Sequence, residues 1–215
     1  MILRQSFILM AVLTLMATQA VANSEGPAQA DLQRFTNGLV GFQAAFSQTV
    51  ISQDGSVQDK TGGNVWLQSP DKLRWVYTGD FPETIVADSV NLWIYDESLQ
   101  QVTVKTQSDQ ASDSPLMILA DVSQLEQQFQ VTELGRFEEM SLLELKSLDT
   151  ESEFERILLG LDATGIRMMT MEDAFGQRTE IQFSNVLKNP QLDPLLFTFS
   201  PPEGTDVVGE ITPIH

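Results

Sequence analysis

The chain has no cysteine at all, one histidine and two tyrosines among its 215 residues. Without cysteine there are no disulfides, no thiolate nucleophile and no residue to carry an acylated N-terminal anchor. The one histidine, His215, is the last residue. A Ser-His-Asp triad and a histidine-based metal site therefore both lack their central part. Positive charge is scarce as well: 12 lysines and arginines stand against 30 aspartates and glutamates, for a net charge of −18. A surface of that sign repels phosphate backbones and anionic headgroups, which argues against nucleic acid as a partner. No glycine-rich phosphate loop follows a strand. Glu138-Glu139 supplies the residue types of a glycosidase pair, yet with 30 acidic residues such adjacency arises by chance. The sequence reads as a binding protein that is not an enzyme and needs neither cofactor nor metal.

The one long apolar run is at the start. Residues 1–22 place Arg4 before an almost unbroken apolar stretch, Phe7 to Met16, and end in Ala20-Val21-Ala22. That order matches a secretory signal peptide cleaved after Ala22, and the run is short for a membrane span. The expectation is an exported, monomeric protein whose residues 23–215 form a single domain.

The most informative stretch is Gly62 to Val104. It holds all three tryptophans and five short runs rich in aromatic and β-branched residues: Val65–Leu67, Leu73–Tyr77, Thr84–Ala87, Leu92–Tyr95 and Val102–Val104. Their short polar connections predict an antiparallel meander. Leu73, Trp75 and Tyr77 share one face of their strand, Arg74 and Val76 the other. This meander is expected to form one wall of an apolar cavity.

Elsewhere the period changes. Leu32, Phe35 and Leu39 form a helical stripe from Asp31 onward, with Asn23–Gln29 a flexible leader. Phe42, Ala44, Phe46, Gln48 and Val50 alternate as a strand, and Asp54-Gly55 signals a hairpin. Ser114-Pro115 opens a short helix, Pro115–Ala120, that is apolar on nearly every side. A capping box at Ser123 and Glu126 starts another, with Leu125 and Phe129 as its stripe. Strands are expected at Glu138–Lys146, Glu153–Leu161, Gly165–Glu172, Thr179–Ser184 and Leu196–Ser200. Asp162–Gly165 and Asp173–Gly176 are the turns between them. Met168, Met169 and Met171 read as core filling or as an adaptable apolar lining.

Taken together, these residues resemble the LolA family of outer-membrane lipoprotein carriers. The resemblance is carried, in order, by F-x-A-x-F-x-Q at Phe42–Gln48, the tryptophan-rich G-x-x-W-L-x-x-P-x-K-x-R-W-x-Y ending at Tyr77, and I-V-A-D-x-x-x-L-W-x-Y-D at Ile85–Asp96. It continues in Q-V-T-V at Gln101–Val104, the Ser-Pro-Leu helix start, D-x-x-G-Q-x-T at Asp173–Thr179, and F-x-F-x-P-P-x-G-x-D-V at Phe197–Val207. It implies a mainly β fold with helices: an incomplete antiparallel β-barrel with an α-helical lid over a hydrophobic cavity. It further implies a periplasmic carrier that takes acylated lipoproteins from an inner-membrane ABC transporter. The carrier shelters their acyl chains and hands them to an outer-membrane receptor, LolB. A lipoprotein-sensing regulatory module on the same fold is the alternative.

On this reading the acyl-chain contacts are Leu67, Leu73, Trp75, Ile85, Met169, Met171 and Phe183. The lid comprises Phe35, Leu39, Pro115, Leu116, Met117, Ile118, Leu119 and Phe129. Many family members carry an arginine before the meander proline, where it latches the lid. Here Ser69 stands before Pro70, and Ser69 is the latch candidate, a weaker donor than a charged one.

Overall fold

The computed structural model describes residues 26–107, 125–149, 152 and 154–213. Helix α1 spans Pro27–Thr36, followed by strands β1 (Gly41–Ile51), β2 (Val57–Gln68), β3 (Lys72–Thr78), β4 (Glu83–Asp88), β5 (Asn91–Asp96) and β6 (Gln101–Thr106). The second half holds a one-turn helix α2 (Leu125–Gln128), then β7 (Phe129–Phe137), β8 (Met140–Ser147), β9 (Phe154–Asp162), β10 (Gly165–Asp173) and β11 (Arg178–Lys188). A 3-10 turn at Pro194–Phe197 and a short β12 (Asp206–Val208) complete it.

All twelve strands join one sheet, in the order β12-β6-β5-β4-β3-β2-β1-β11-β10-β9-β8-β7. The sheet does not close, so β7 and β12 are its edges. Two meanders meet where β1 pairs antiparallel with β11, Phe46 opposite Phe183. The predicted meander is present throughout Val57–Thr106, and every pair in it is antiparallel. Several strand connections, in both halves of the chain, use one device. Asp54, Asp88, Asp96, Asp162 and Asp173 each accept a hydrogen bond from the backbone N–H two residues on. The aspartate carboxylate closes the turn locally, so part of the acidic surplus shapes hairpins.

The sheet is strongly curled. Trp75 on β3 and Phe183 on β11 have ring centroids 6.2 Å apart, although two strands separate theirs. In a flat sheet the same strands would lie about 14 Å apart. Alternation then sends one set of side chains inward to a single cluster that runs from Leu73, Ala87 and Leu92 to Leu143, Leu159 and Ile166. A second, smaller cluster of Val86, Trp93, Val102 and Val104 lies on the outer face, packed against Phe199 of the C-terminal tail.

Several expectations need correction. The helix begins at Pro27, inside the predicted leader, because Pro27 sits at the first helical position, where its missing N–H costs nothing. Leu39 lies beyond the helix end; it packs on the core from the connection to β1. Phe129 is the first residue of β7 and belongs to no helix: the predicted helical stripe stops after one turn, and alternation takes over in Phe129–Phe137. Leu196–Ser200 is not a strand, since Asp193 caps a 3-10 turn through the Leu195 N–H. The tail instead adds β12, parallel to β6, to an otherwise antiparallel sheet. The lid positions Pro115, Leu116, Met117, Ile118 and Leu119, the capping Ser123 and the leader 1–22 lie outside the described residues. Among the described residues, no helix is long and apolar enough to cross a membrane.

Candidate functional site: the inner face and its cover

The inner face is built from alternate residues of nearly every strand. Leu67, Leu73, Trp75, Met169, Met171 and Phe183, all singled out as acyl contacts, are brought together there and buried. Ile85 is half-buried against the same cluster. Met168 falls on the opposite side of its strand, beside Gly160. Gly63 makes the aromatic part of the wall possible. It stands directly between Phe46 on β1 and Tyr77 on β3 in the cross-strand register. A Cβ there would fall on the Val76 carbonyl oxygen and crowd the Phe46 ring at 3.1 Å; without one, Phe46 lies tilted against Trp75 at 4.2 Å and meets Tyr77 edge-on at 5.3 Å.

Towards the rim the face turns polar. Tyr77 Oη donates to Gln48 Oε1 at 3.2 Å, and Thr61 lies directly across from Gln48. Burial pushes the Tyr77 hydroxyl up to about 12, and the Glu83 carboxylate adds to the rise. The Trp75 indole N–H leans toward Tyr77, tempering that shift without reaching a hydrogen bond. Glu83 is itself raised, first by burial and then by Asp96, which faces it across β4 and β5.

Helix α1 covers the other half of this face, packed on β7, β8, β9 and β10. Its cover is apolar: Ala28 and Phe35 are buried, and Phe35 meets Phe42 edge-on at 5.8 Å. Gly165 leaves the seat for that ring, since a Cβ there would come within 2.5 Å of Phe35 Cδ2. Polar groups strap the helix at both ends. Glu133 on β7 accepts from the Ala28 and Gln29 N–H groups at 3.0 and 3.3 Å. Ser141 donates to Asp31 at 3.0 Å. At the far end Lys188 Nζ donates to the Arg34 and Asn37 carbonyls at 3.0 and 2.7 Å. A carboxylate at the N-terminus and an ammonium at the C-terminus both complement the helix dipole. None of Glu133, Ser141 and Lys188 stands out in the sequence, because each acts on a segment more than a hundred residues away.

Ser69, the latch candidate, sits at the β2–β3 turn and donates its backbone N–H to Val40 O at 3.2 Å. A separate cleft of about 550 Å³ opens on the outer face, between Trp93 and the tail at Phe197–Phe199 and Ile211–Pro213. Arg74 points to that side, donating to Leu196 O at 3.2 Å, and burial lowers its pKa. Among the described residues no cluster of acidic side chains and histidine could hold a metal ion.

Comparison with known proteins adds to this geometry. The family model described as "Outer membrane lipoprotein carrier protein LolA" matches residues 37–200. An outer-membrane lipoprotein carrier protein of Dechloromonas aromatica is 37% identical over 179 residues, covering 83% of this chain and 86% of the relative. One from Methylococcus capsulatus is 34% identical over 196 residues, covering 91% and 94%. Among solved structures, an uncharacterized conserved protein from Thermus thermophilus superposes with a TM-score of 0.54 at 15% identity. It covers 84% of this chain and 98% of that one, which shows the shared fold.

Proposed function

The chain belongs to the outer membrane lipoprotein carrier protein LolA family, and from that premise we propose that it shelters the acyl chains of lipoproteins on the inner face of its open sheet. The observation that carries this reading is a contiguous apolar face, spanning strands from both meanders, under a helix held down largely by polar contacts at its ends.

Magnitudes favour a carrier. Each buried CH₂ contributes roughly 0.8 kcal/mol, so an acyl chain of about 16 carbons represents on the order of 12 kcal/mol. Such a chain does not cross water unaided. It must nonetheless be released at the end, and a cover that competes for the same face lowers the net affinity. Carboxylates along the rim, Glu83 and Asp96 among them, discourage adhesion to anionic bilayers in transit. In this reading residues 1–22 direct export to the periplasm and are removed. An inner-membrane ABC transporter loads the carrier, and a LolB-like receptor unloads it. Leu67, Leu73, Trp75, Ile85, Met169, Met171 and Phe183 line the acyl site, and α1 is part of the lid.

The test uses spheroplasts. Purified protein is expected to release newly made acylated lipoprotein into the supernatant as a soluble complex. If a carrier from a relative succeeds in the same preparation and this chain does not, the reading is wrong.

A further inference from the structure

Two buried side-chain polar atoms among the described residues have no hydrogen-bond partner: Thr61 Oγ1 and Trp75 Nε1. Both belong to one neighbourhood. Thr61 lies across from Gln48 on β1, Gln48 accepts from Tyr77, and Tyr77 is one inward position beyond Trp75 on β3. Trp75 is fully buried, lies tilted at 35° against Phe46, and has its indole N–H near the Tyr77 hydroxyl but short of a hydrogen bond. Leaving a buried donor unpaired costs about as much as a hydrogen bond is worth, or more, and each such group in a native fold calls for a physical explanation.

We propose that this pair is a carbonyl-binding node: the Trp75 indole N–H and the Thr61 hydroxyl donate to the ester carbonyls of a bound acyl chain. The inference rests on the carrier reading of the inner face and goes further, naming the ligand group that is recognised and the atoms that recognise it. Position supports it. Below the node, Leu67, Leu73 and Phe183 offer only hydrocarbon. Above it, Gln48, Glu83 and Asp96 mark the approach to water at the rim. An acyl ester has the same order: hydrocarbon, then a carbonyl that only accepts hydrogen bonds, then a polar head. A donor pair at that depth sets how far the chain enters. It also rewards an ester over a plain alkyl chain. The chemistry is shared by lipid-modified peptides and free glycerolipids.

The test compares a synthetic diacylglyceryl-cysteinyl peptide with its dialkyl ether analogue, which keeps the chains and loses the carbonyls. Wild type is expected to bind the ester about tenfold more tightly. The ester-to-ether ratio is expected to fall towards one in Trp75→Phe and to shrink in Thr61→Val. In ¹⁵N spectra of the wild type, the Trp75 Nε1–H resonance is expected to move downfield with the ester and not with the ether. That readout needs no variant to fold. Trp93 is an internal control, since its Nε1–H already donates to Asp88 at 2.7 Å. A diester phospholipid with the same chains, titrated in parallel against its own ether analogue, identifies the source of the carbonyl. Equal binding of ester and ether by the wild type, or a ratio that survives both substitutions, overturns the node and leaves the carrier reading standing. Failure of every probe to bind removes both.

Discussion

The Glu133 carboxylate caps helix α1 from 105 residues away, accepting the Ala28 N–H at 3.0 Å. With Lys188 at the opposite end, it holds the helix across the inner face by charge complementarity, where the buried ring of Phe35 supplies the apolar part of the contact. A strap of this kind can be loosened without dismantling the sheet beneath.

Glu133→Ala is therefore expected to weaken α1 docking by about 1 kcal/mol, the usual worth of a helix N-cap. Thermal unfolding should fall by about 2–4 °C for a domain of this size. If α1 competes with acyl chains for the inner face, the same loss should raise apparent acyl affinity about fivefold. Titration with a fluorescent acyl peptide checks this: a stability loss with unchanged or weaker binding would show that α1 does not compete.

Gly165 adopts φ +129° and gives Phe35 its seat. Gly165→Ala is expected to strain the backbone and push the Phe35 ring off the face. Phe35→Ala removes the collision while leaving the backbone term. The double variant should then be less destabilised than the sum of the two single changes, by roughly 1 kcal/mol or more. Additive losses in denaturant unfolding would mean the ring is displaced by another route.

Much of this was legible from residues alone. Alternation at Phe42–Val50 and the tryptophan-rich meander placed six strands and, for β1 and β3, the two faces of the strand, because a half-buried strand writes its burial into every second residue. Aspartates announced the turns for the same local reason. Phe129 misled because Leu125 and Phe129 fit a helical stripe as well as the end of one turn and the first residue of a strand; choosing between them needs the pairing of Val131 with Leu145 on β8. Leu196–Ser200 misled because alternation survives in a segment that packs on the outer face without ladder bonds. The strap was invisible because Glu133 and Lys188 look like any other charge until the fold brings α1 to them. The donor pair was hidden too: nothing in Thr61 or Trp75 reports a missing partner.

The rim carboxylates predict a pH effect. Burial and Asp96 raise the Glu83 pKa above the ordinary 4.5. A raised pKa favours the protonated fold, so Glu83 contributes stability below pH 4.5 that disappears as pH rises through the raised value. Above the raised value wild type has lost it. Glu83→Gln, which stays neutral, is expected to be more stable than wild type at about pH 7 and to match it near pH 4. It should also lower the Tyr77 pKa from about 12, because Glu83 contributes to that rise. Thermal melts at the two pH values and alkaline absorbance titration of the tyrosines read the two effects separately. A variant less stable than wild type at neutral pH would mean that Glu83 makes a stabilising contact in its charged form.

The tail provides the last prediction. Asn91 on β5 is buried and grips one residue of the tail twice: its Nδ2 donates to Thr212 O at 2.9 Å and its Oδ1 accepts the Thr212 N–H at 2.9 Å. Those two bonds imitate a strand bridge and close one side of the outer cleft beside Trp93. Asn91→Ala removes both and is expected to cost about 1–3 kcal/mol, since burial prevents water from replacing them fully. The Thr212 amide should then exchange with solvent at least about tenfold faster, while the Asp206 amide, which donates to Gln100 O at 2.9 Å beside β6, keeps its protection. Acyl binding should not change, because the tail packs on the opposite side of the sheet from the inner face. Loss of acyl binding in Asn91→Ala, with the sheet amides still protected, would show that the two faces are coupled and that the tail takes part in holding the inner face in shape.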